Sequence, residues 1–309
     1  MLRREDVLLN PAISGAPVGE PDGRRRIAEI GFGNGEFLVH LAQMEPRSIF
    51  YGLEISMTCV EKSLKRVIRE ELDNVRLLFG DARFLLRESF ADDWLDRVYM
   101  SFPCPWPKER HARRRVTAPG FADTVASVLR MGCRFELATD EAWYAREVAQ
   151  VLGDHVALNL SSFDVNRRRP VTTKYERKWL AEGKDIFILE FEKCSTCSVE
   201  RIVSGRSDEM HVTVDRENLD LTALAARELG ISGGEGGVRW AFGNVYSDGE
   251  RTWLVRAVTS DDGYQQQMYL RVLLREQGAL VKVDGVCVPY LTPAVRQAVH
   301  DLAGRLVKG

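Results

Sequence analysis

The chain has 309 residues, 45% hydrophobic and 28% charged, which is long enough for two domains with real cores and ordinary for a soluble globular protein. Its formal net charge of -2 rules out an argument for nucleic-acid binding from overall charge, so any basic surface must be local. No apolar stretch approaches membrane-spanning length, Met1-Leu2-Arg3-Arg4-Glu5-Asp6 leads into no signal-peptide core, and six scattered cysteines predict reduced, cytoplasmic thiols.

Residues 1–26 mix Pro, Gly and Arg without periodicity and predict an N-terminal lead-in segment. From residue 27 strands and helices alternate. Short apolar runs predict strands at Ile27–Ile30, Ile49–Ile55, Val75–Phe79, Asp96–Met100 and Arg134–Ala138. Helices are expected over Glu36–Gln43, Thr58–Glu71, Phe84–Phe90, Phe121–Arg130 (closed by Gly132) and Tyr144–Leu152. His155–Leu160 and Ile186–Phe191 read as two late strands. This alternation implies a mostly parallel, doubly wound α/β sheet over residues 27–194.

After Cys194 the pattern changes. Val238–Ser247 and Glu250–Thr259 flank Asp248-Gly249, a hairpin signal. Gln265–Arg275, Leu280–Val283 and Val286–Val288 follow, and Ala294–Leu306 reads as a closing amphipathic helix. Residues 195–309 therefore predict a small C-terminal α+β accessory domain. It carries 13 Lys and Arg against 15 Asp and Glu, which argues against a strong electrostatic grip on a polyanion. Gly230–Gly237 reads as a flexible link. Trp240, Trp253 and Tyr246 read as sheet-packing residues rather than base-stacking ones.

The densest signal lies in Glu29-Ile30-Gly31-Phe32-Gly33-Asn34-Gly35, a glycine turn leaving the first strand. Glycines at 31, 33 and 35 let the backbone turn tightly and approach a ligand. A dinucleotide fold would place its third glycine one residue later. The present spacing, preceded by Glu29, is the form seen in enzymes that use S-adenosylmethionine (SAM). Glu54 ends the second strand, where an acid can accept ribose hydroxyls. Asp81 follows the third, where a carboxylate can accept from the adenine amino group. Open α/β sheets bind ligands at these carboxyl ends.

A second run, Ser101-Phe102-Pro103-Cys104-Pro105-Trp106-Pro107-Lys108, leaves the fourth strand as a proline-stiffened loop with flat apolar surface. Lys108, Arg110, Arg113, Arg114 and Arg115 then form a basic run suited to RNA phosphates, and Arg167-Arg168-Arg169 repeats the theme. Cys194-x-x-Cys197 has metal-type spacing but no second pair in the sequence, so no metal is expected.

These runs together resemble the bacterial tRNA (guanine-N7-)-methyltransferase family. Ser101–Lys108 looks like its N-F-P-D-P-W-P-K loop. The R-H-x-x-R-R that follows matches Arg110, His111, Arg114 and Arg115. Thr139-Asp140 and Thr173-Lys174-Tyr175-Glu176 match its T-D and T-x-[FY]-E. The resemblance covers roughly residues 27–193. It implies a class I SAM-dependent methyltransferase with a Rossmann-like sheet, and m7G formation in the tRNA variable loop. Lys108, Asp140, Thr173, Lys174, Tyr175 and Glu176 would then contact the substrate guanosine and its surroundings. The departure is Cys104, where the family has an Asp usually held to be catalytic. Two alternatives follow: a tRNA- or SAM-binding protein with weakened catalysis, and a C5-pyrimidine RNA methyltransferase with Cys104 as covalent nucleophile.

Overall fold

Arg26-Ile27-Ala28-Glu29-Ile30 and Ile49-Phe50-Tyr51-Gly52-Leu53-Glu54 are buried at every position, the pattern of strands covered on both faces. The computed structural model describes every residue except Met1, Ala16, Glu20, Pro21, Glu109, 111–114 and Gly309. His111, Arg113 and Arg114, expected in the basic run, lie outside the described residues.

The elements run α1 (Arg4–Val7), β1 (Leu8–Leu9), α2 (Pro11–Ser14), β2 (Arg26–Ile30), α3 (Glu36–Met44), β3 (Ile49–Glu54), α4 (Met57–Arg69) and β4 (Val75–Phe79). Next come α5 (Ala82–Ser89), β5 (Leu95–Ser101), α6 (Phe121–Val128), β6 (Leu129–Thr139), α7 (Ala142–Gly153), β7 (Leu158–Val165), α8 (Lys174–Ala181) and β8 (Phe187–Lys193). The chain continues with β9 (His211–Asp215), β10 (Glu228–Gly233), β11 (Val238–Ser247), β12 (Thr252–Asp261), β13 (Tyr264–Arg275), β14 (Gly278–Val283) and α9 (Pro293–Gly304). Among the described residues no helix is long and apolar enough to cross a membrane.

The chain forms two compact units, Met1–Asn10 with Pro17–Glu200, and Pro11–Ala16 with Arg201–Gly309. The first holds an eight-stranded sheet in the order β1-β4-β3-β2-β5-β6-β8-β7. All its pairs are parallel except β6–β8 and β7–β8. The strand order reverses between β2 and β5, so the ends of those strands frame a crevice of the kind that binds ligands in open α/β sheets. The expected parallel doubly wound sheet is thus the observed one. The lead-in, expected to lack periodic structure, contributes an edge strand, Leu8-Leu9 beside Leu77-Leu78.

Several helix boundaries move by one or two residues, and the end of α6 changes the role of a glycine. The chain turns extended at Leu129, which opens β6 and sits opposite Leu95. Gly132, at φ 74, is therefore a strand residue and not a helix cap.

The second unit is one antiparallel sheet, β10-β11-β12-β13-β14-β9, whose core includes residues of α9 such as Val295, Val299 and Leu302. Two of its strands, β9 and β10, had no sequence expectation, and β10 occupies half of the expected glycine link. The connection after β11 is longer than a two-residue turn: Asp248 Oδ1 accepts from the backbone N–H of Glu250, Arg251 and Thr252. Those bonds hold its carboxyl down at about 2. Val286–Val288 forms no strand.

Candidate active site

The glycine turn is fixed from below by β3. Gly31 N–H donates to Leu53 O at 2.7 Å, and Gly33 N–H donates to Glu54 Oε2 at 2.9 Å. The second Glu54 oxygen accepts from Ser56 N–H at 2.8 Å. One carboxylate thus ties the β2 turn to the N-cap of α4. All three glycines have positive φ: 71 at Gly31, 54 at Gly33 and 70 at Gly35. They serve different ends. A Cβ at Gly31 or Gly33 would meet open space, whereas one at Gly35 would stand 2.6 Å from Ser63 Oγ. Gly31 and Gly33 leave room above the turn, and Gly35 lets α4 pack close. Gly52, which sequence reading passed over, makes way for Phe32: a Cβ there would lie 2.6 Å from that ring.

Glu29 sits in β2 with 3% exposure, and its Oε2 has no hydrogen-bond partner among the described residues. Burial pushes its carboxyl up to about 8, against the pull of the nearby Arg169 cation. Asp81 caps α5. Burial works to raise its carboxyl, but the bonds and charge of Arg83 bring it below the usual range, with Arg83 Nη2 at 2.6 Å. A turn with open space above it, a buried carboxyl oxygen without a partner among the described residues, and acids at the ends of β3 and β4 fit an adenosyl ligand bearing an amino acid.

The loop after β5 holds two non-glycine residues in the left-handed region, Phe102 at φ 52 and Trp106 at φ 46. Such residues cost on the order of 1–3 kcal/mol each and mark a conformation imposed by its surroundings. Cys104 lies between them, exposed. Phe102 N–H donates to Ala138 O at 2.7 Å, and its ring packs on Ala138, Ile186 and Ile188. At the far end Arg115 is buried, 8% exposed. Its Nε and Nη2 donate to Trp106 O at 3.1 and 3.0 Å, and Nη1 reaches Glu147 Oε2 at 3.2 Å. The expected phosphate contact at Arg115 does not fit this placement: the guanidinium is spent on the loop. Lys108 and Arg110 are exposed on the same segment.

Tyr144, fully buried in α7, accepts from Val116 N–H at 3.3 Å, and burial raises its hydroxyl to about 12. It stays a neutral prop for the segment that carries Arg115.

Thr173–Glu176 forms a capping box. Thr173 Oγ1 accepts from Glu176 N–H at 3.2 Å, and Glu176 Oε2 accepts from Thr173 N–H at 3.4 Å. Glu36, first residue of α3, binds this helix start: it accepts from Lys174 N–H at 2.8 Å and from Arg177 Nη2 at 2.6 Å. The glycine turn and the Thr173–Glu176 motif are thereby joined through one side chain. Tyr175 stands 58% exposed. Asp140, after β6, is paired with Lys184 Nζ at 2.6 Å.

Arg169 lies at the centre, its side chain 1% exposed. It donates to Glu136 Oε1 at 2.9 Å and Ser101 Oγ at 2.8 Å, pairs with Glu176 at 3.5 Å and lies 4.4 Å from the Phe37 ring centroid. Arg167 pairs with Glu136, Glu190 and Asp164. Arg167 and Arg169 are thus engaged by acids, and Arg168 is the exposed member of the second basic run.

Cys197 meets two side chains the sequence did not connect to it. Ligand atoms of Asp123, His155 and Cys197 lie within 4.8 Å of one another. His155 Nδ1 accepts from Ala157 N–H at 3.2 Å, which leaves the ring proton on Nε2, 3.1 Å from Asp123 Oδ1. The ring's lone pair faces the backbone, so hydrogen bonding accounts for the trio.

Residues 24–189 match the family described as "Putative methyltransferase". The chain is 38% identical over 281 residues to the tRNA (guanine-N(7)-)-methyltransferase of Thermotoga maritima, covering 91% of this chain and 88% of that protein. It is 30% identical to the enzyme of that name from Aquifex aeolicus, covering 89% and 92%. A third such enzyme, from Nitrosococcus oceani, is 37% identical over 169 residues, 54% of this chain. The first two matches are long enough to run well into the second unit, so that unit is shared with some relatives and is not peculiar to this chain.

Proposed function

Because the chain belongs to the tRNA (guanine-N7-)-methyltransferase family, we propose that it methylates N7 of a guanine in the tRNA variable loop, working in the cytoplasm with SAM as methyl donor. The observation that supports this most is the convergence at the carboxyl ends of β2, β3, β4 and β5. A glycine turn, Glu54, Asp81 and the Cys104 loop share one edge of the sheet.

When bound, SAM supplies an electrophilic methyl group, which guanine N7 takes with its own lone pair while the sulfur keeps the bonding electrons. The protein need not remove a proton from N7, so its contribution is alignment and support of the positive charge that grows on the base. Glu54 and the turn at Gly31 and Gly33 are read as the seat of the ribose and methionine portions, and Asp81 as the acceptor for the adenine amino group. Glu29 backs that seat. The strained Cys104 loop, held at one end by Phe102 and at the other by Arg115, presents the guanine-facing edge. Thr173–Glu176 and Asp140 are read as substrate contacts, and Lys108 and Arg110 as phosphate contacts.

Cys104 is weaker than a carboxylate at supporting a cation, which slows an alignment-driven reaction without abolishing it. The test is incubation of the purified protein with SAM and unmodified tRNA, then nucleoside mass spectrometry. m7G supports the reading. m5C or m5U would replace it with the C5 mechanism, and no product beside intact tRNA binding would leave a binding protein.

A further inference from the structure

The second sheet has a buried face and an outward face. In β12 and β13, burial alternates: Val255, Ala257, Met268, Leu270 and Val272 turn into the core shared with α9, and their neighbours turn outward. The outward positions of β11 to β14 include Arg239, Arg256, Arg271, Arg275 and Lys282, and none of those positions is Asp or Glu. The edge strands add Asp215 (β9) and Glu228 (β10) to the margins of this face, and most other acids lie in connections, among them Glu235, Asp248, Glu250, Asp262 and Glu276. A near-balanced composition thus conceals an excess of cations on the four central strands of this face.

Two details point to a ligand. Arg271 and Lys282 are direct cross-strand partners, a like-charge pair that disfavours the sheet and is offset in part by Asp284 beside Arg271. A cleft of about 590 Å³ opens on this face, lined by Ser232, Arg239, Ala241, Val258, Ser260 and Gln265. Tyr246, half exposed and in edge contact with Tyr269 at 6.1 Å, adds an aromatic surface to the face.

We propose that this outward face is an RNA-binding surface that takes the phosphodiester backbone of tRNA. The proposal rests on the reading of the protein as a tRNA methyltransferase, and charge complementarity carries it: the excess of cations on the four central strands suits a polyanion, and the tyrosines suit exposed bases. It runs against the expectation, drawn from total charge, of no strong electrostatic grip by this unit.

The test uses the full chain with Arg256→Glu and Lys282→Glu combined, beside the neutral pair Arg256→Gln and Lys282→Gln in case the reversal fails to fold. Affinity for unmodified tRNA is measured across a salt series, SAM affinity by calorimetry, and m7G formation at saturating tRNA. The expected result is tRNA affinity lowered roughly tenfold, a log–log salt slope shallower by about 0.7–0.9 per lost contact, and unchanged SAM affinity and saturated rate. Natively folded variants with wild-type tRNA affinity and slope overturn the proposal. So does wild-type chain that binds polyglutamate as tightly as tRNA, because the face would then suit an acidic protein. If the wild type binds tRNA through this face yet makes no m7G, the methyltransferase reading fails and the RNA surface stands.

Discussion

The Arg115 guanidinium holds the carbonyl of Trp106 with two donors, Nε at 3.1 Å and Nη2 at 3.0 Å. Trp106 is in the left-handed region, two residues after Cys104. A residue in that conformation needs an external brace, and a forked cation on its carbonyl provides one. Arg115 thus acts through the loop as a positioning residue.

Arg115→Ala should lower the methylation rate by roughly 10- to 100-fold, since small displacements of an aligned site carry such factors. It should also cost about 1–3 kcal/mol of stability, because the Trp106 carbonyl loses both its donors from Arg115 and Glu147 is left with Thr117 Oγ1. SAM affinity should hold. Arg115→Lys should recover only part of the rate, as an ammonium lacks the planar fork. Stopped-flow rates beside SAM calorimetry decide this. Weakened SAM binding with an intact rate of transfer would refute a role through the loop.

The glycines divide into two behaviours. Gly33→Val should abolish most SAM affinity, because its side chain enters the space above the turn. The left-handed backbone would cost about 1–2 kcal/mol in addition. Gly35→Ala meets Ser63 instead and should show first as a lower melting temperature. Asp81→Ala should weaken SAM binding while also removing the ion pair with Arg83. Calorimetry and thermal melts on the same samples separate these effects. Wild-type SAM affinity in both Gly33→Val and Asp81→Ala would move the ligand elsewhere.

Cys104→Asp should keep or raise m7G formation, since a carboxylate supports a cationic base better than a thiol. Cys104→Ala should lower it by roughly tenfold, with alignment supplying the rest. A covalent adduct between RNA and protein that disappears in Cys104→Ala would establish the pyrimidine mechanism in place of this one.

The sheet was legible because its strands are short apolar runs with turn residues between them. The glycine turn was legible because glycine spacing reports backbone need directly. What sequence could not report is which distant acid meets which cation. Arg115 reads as surface charge until Glu147, on α7, is seen beside it. Arg169 reads the same way until Glu136 closes on it from β6. Glu36 was adjacent to the glycine motif, yet its partners lie 138 and 141 residues away. The edge strands β9 and β10 alternate, but each offers only two apolar residues, Val212 and Val214 or Leu229 and Ile231, too few to stand out as a period.

Glu29 makes stability depend on pH. Its folded value, about 8, stands above the ordinary 4.5, so the folded chain keeps this proton where the unfolded chain has lost it. Stability from this site is fullest below 4.5 and falls as pH rises toward 8, by at most about 1.4 kcal/mol per unit. Glu29→Gln, which cannot ionise, should melt progressively higher than wild type as pH rises from 5 to 8, and the gap should level off above that. Melting curves for the two proteins that run parallel across the range would show that Glu29 ionises freely.

The second unit has its own sheet and core, so a chain ending at Glu200 should fold in its first unit. Pro11–Ala16 would lose the unit it belongs to, which predicts a modest drop in melting temperature. None of the glycine turn, Glu54, Asp81 or Cys104 lies beyond residue 200, so SAM affinity should match that of the full chain. At saturating tRNA the shortened chain should still form m7G, because chemistry depends on the first unit. At low tRNA it should fall well behind, because the cationic face formed by Arg239, Arg256, Arg271 and Lys282 is gone. The expected signature is a raised KM for tRNA with kcat within about threefold, since lost uniform binding raises KM alone. A folded, SAM-binding chain that makes no m7G even at saturation would show instead that the second unit helps to build the active site.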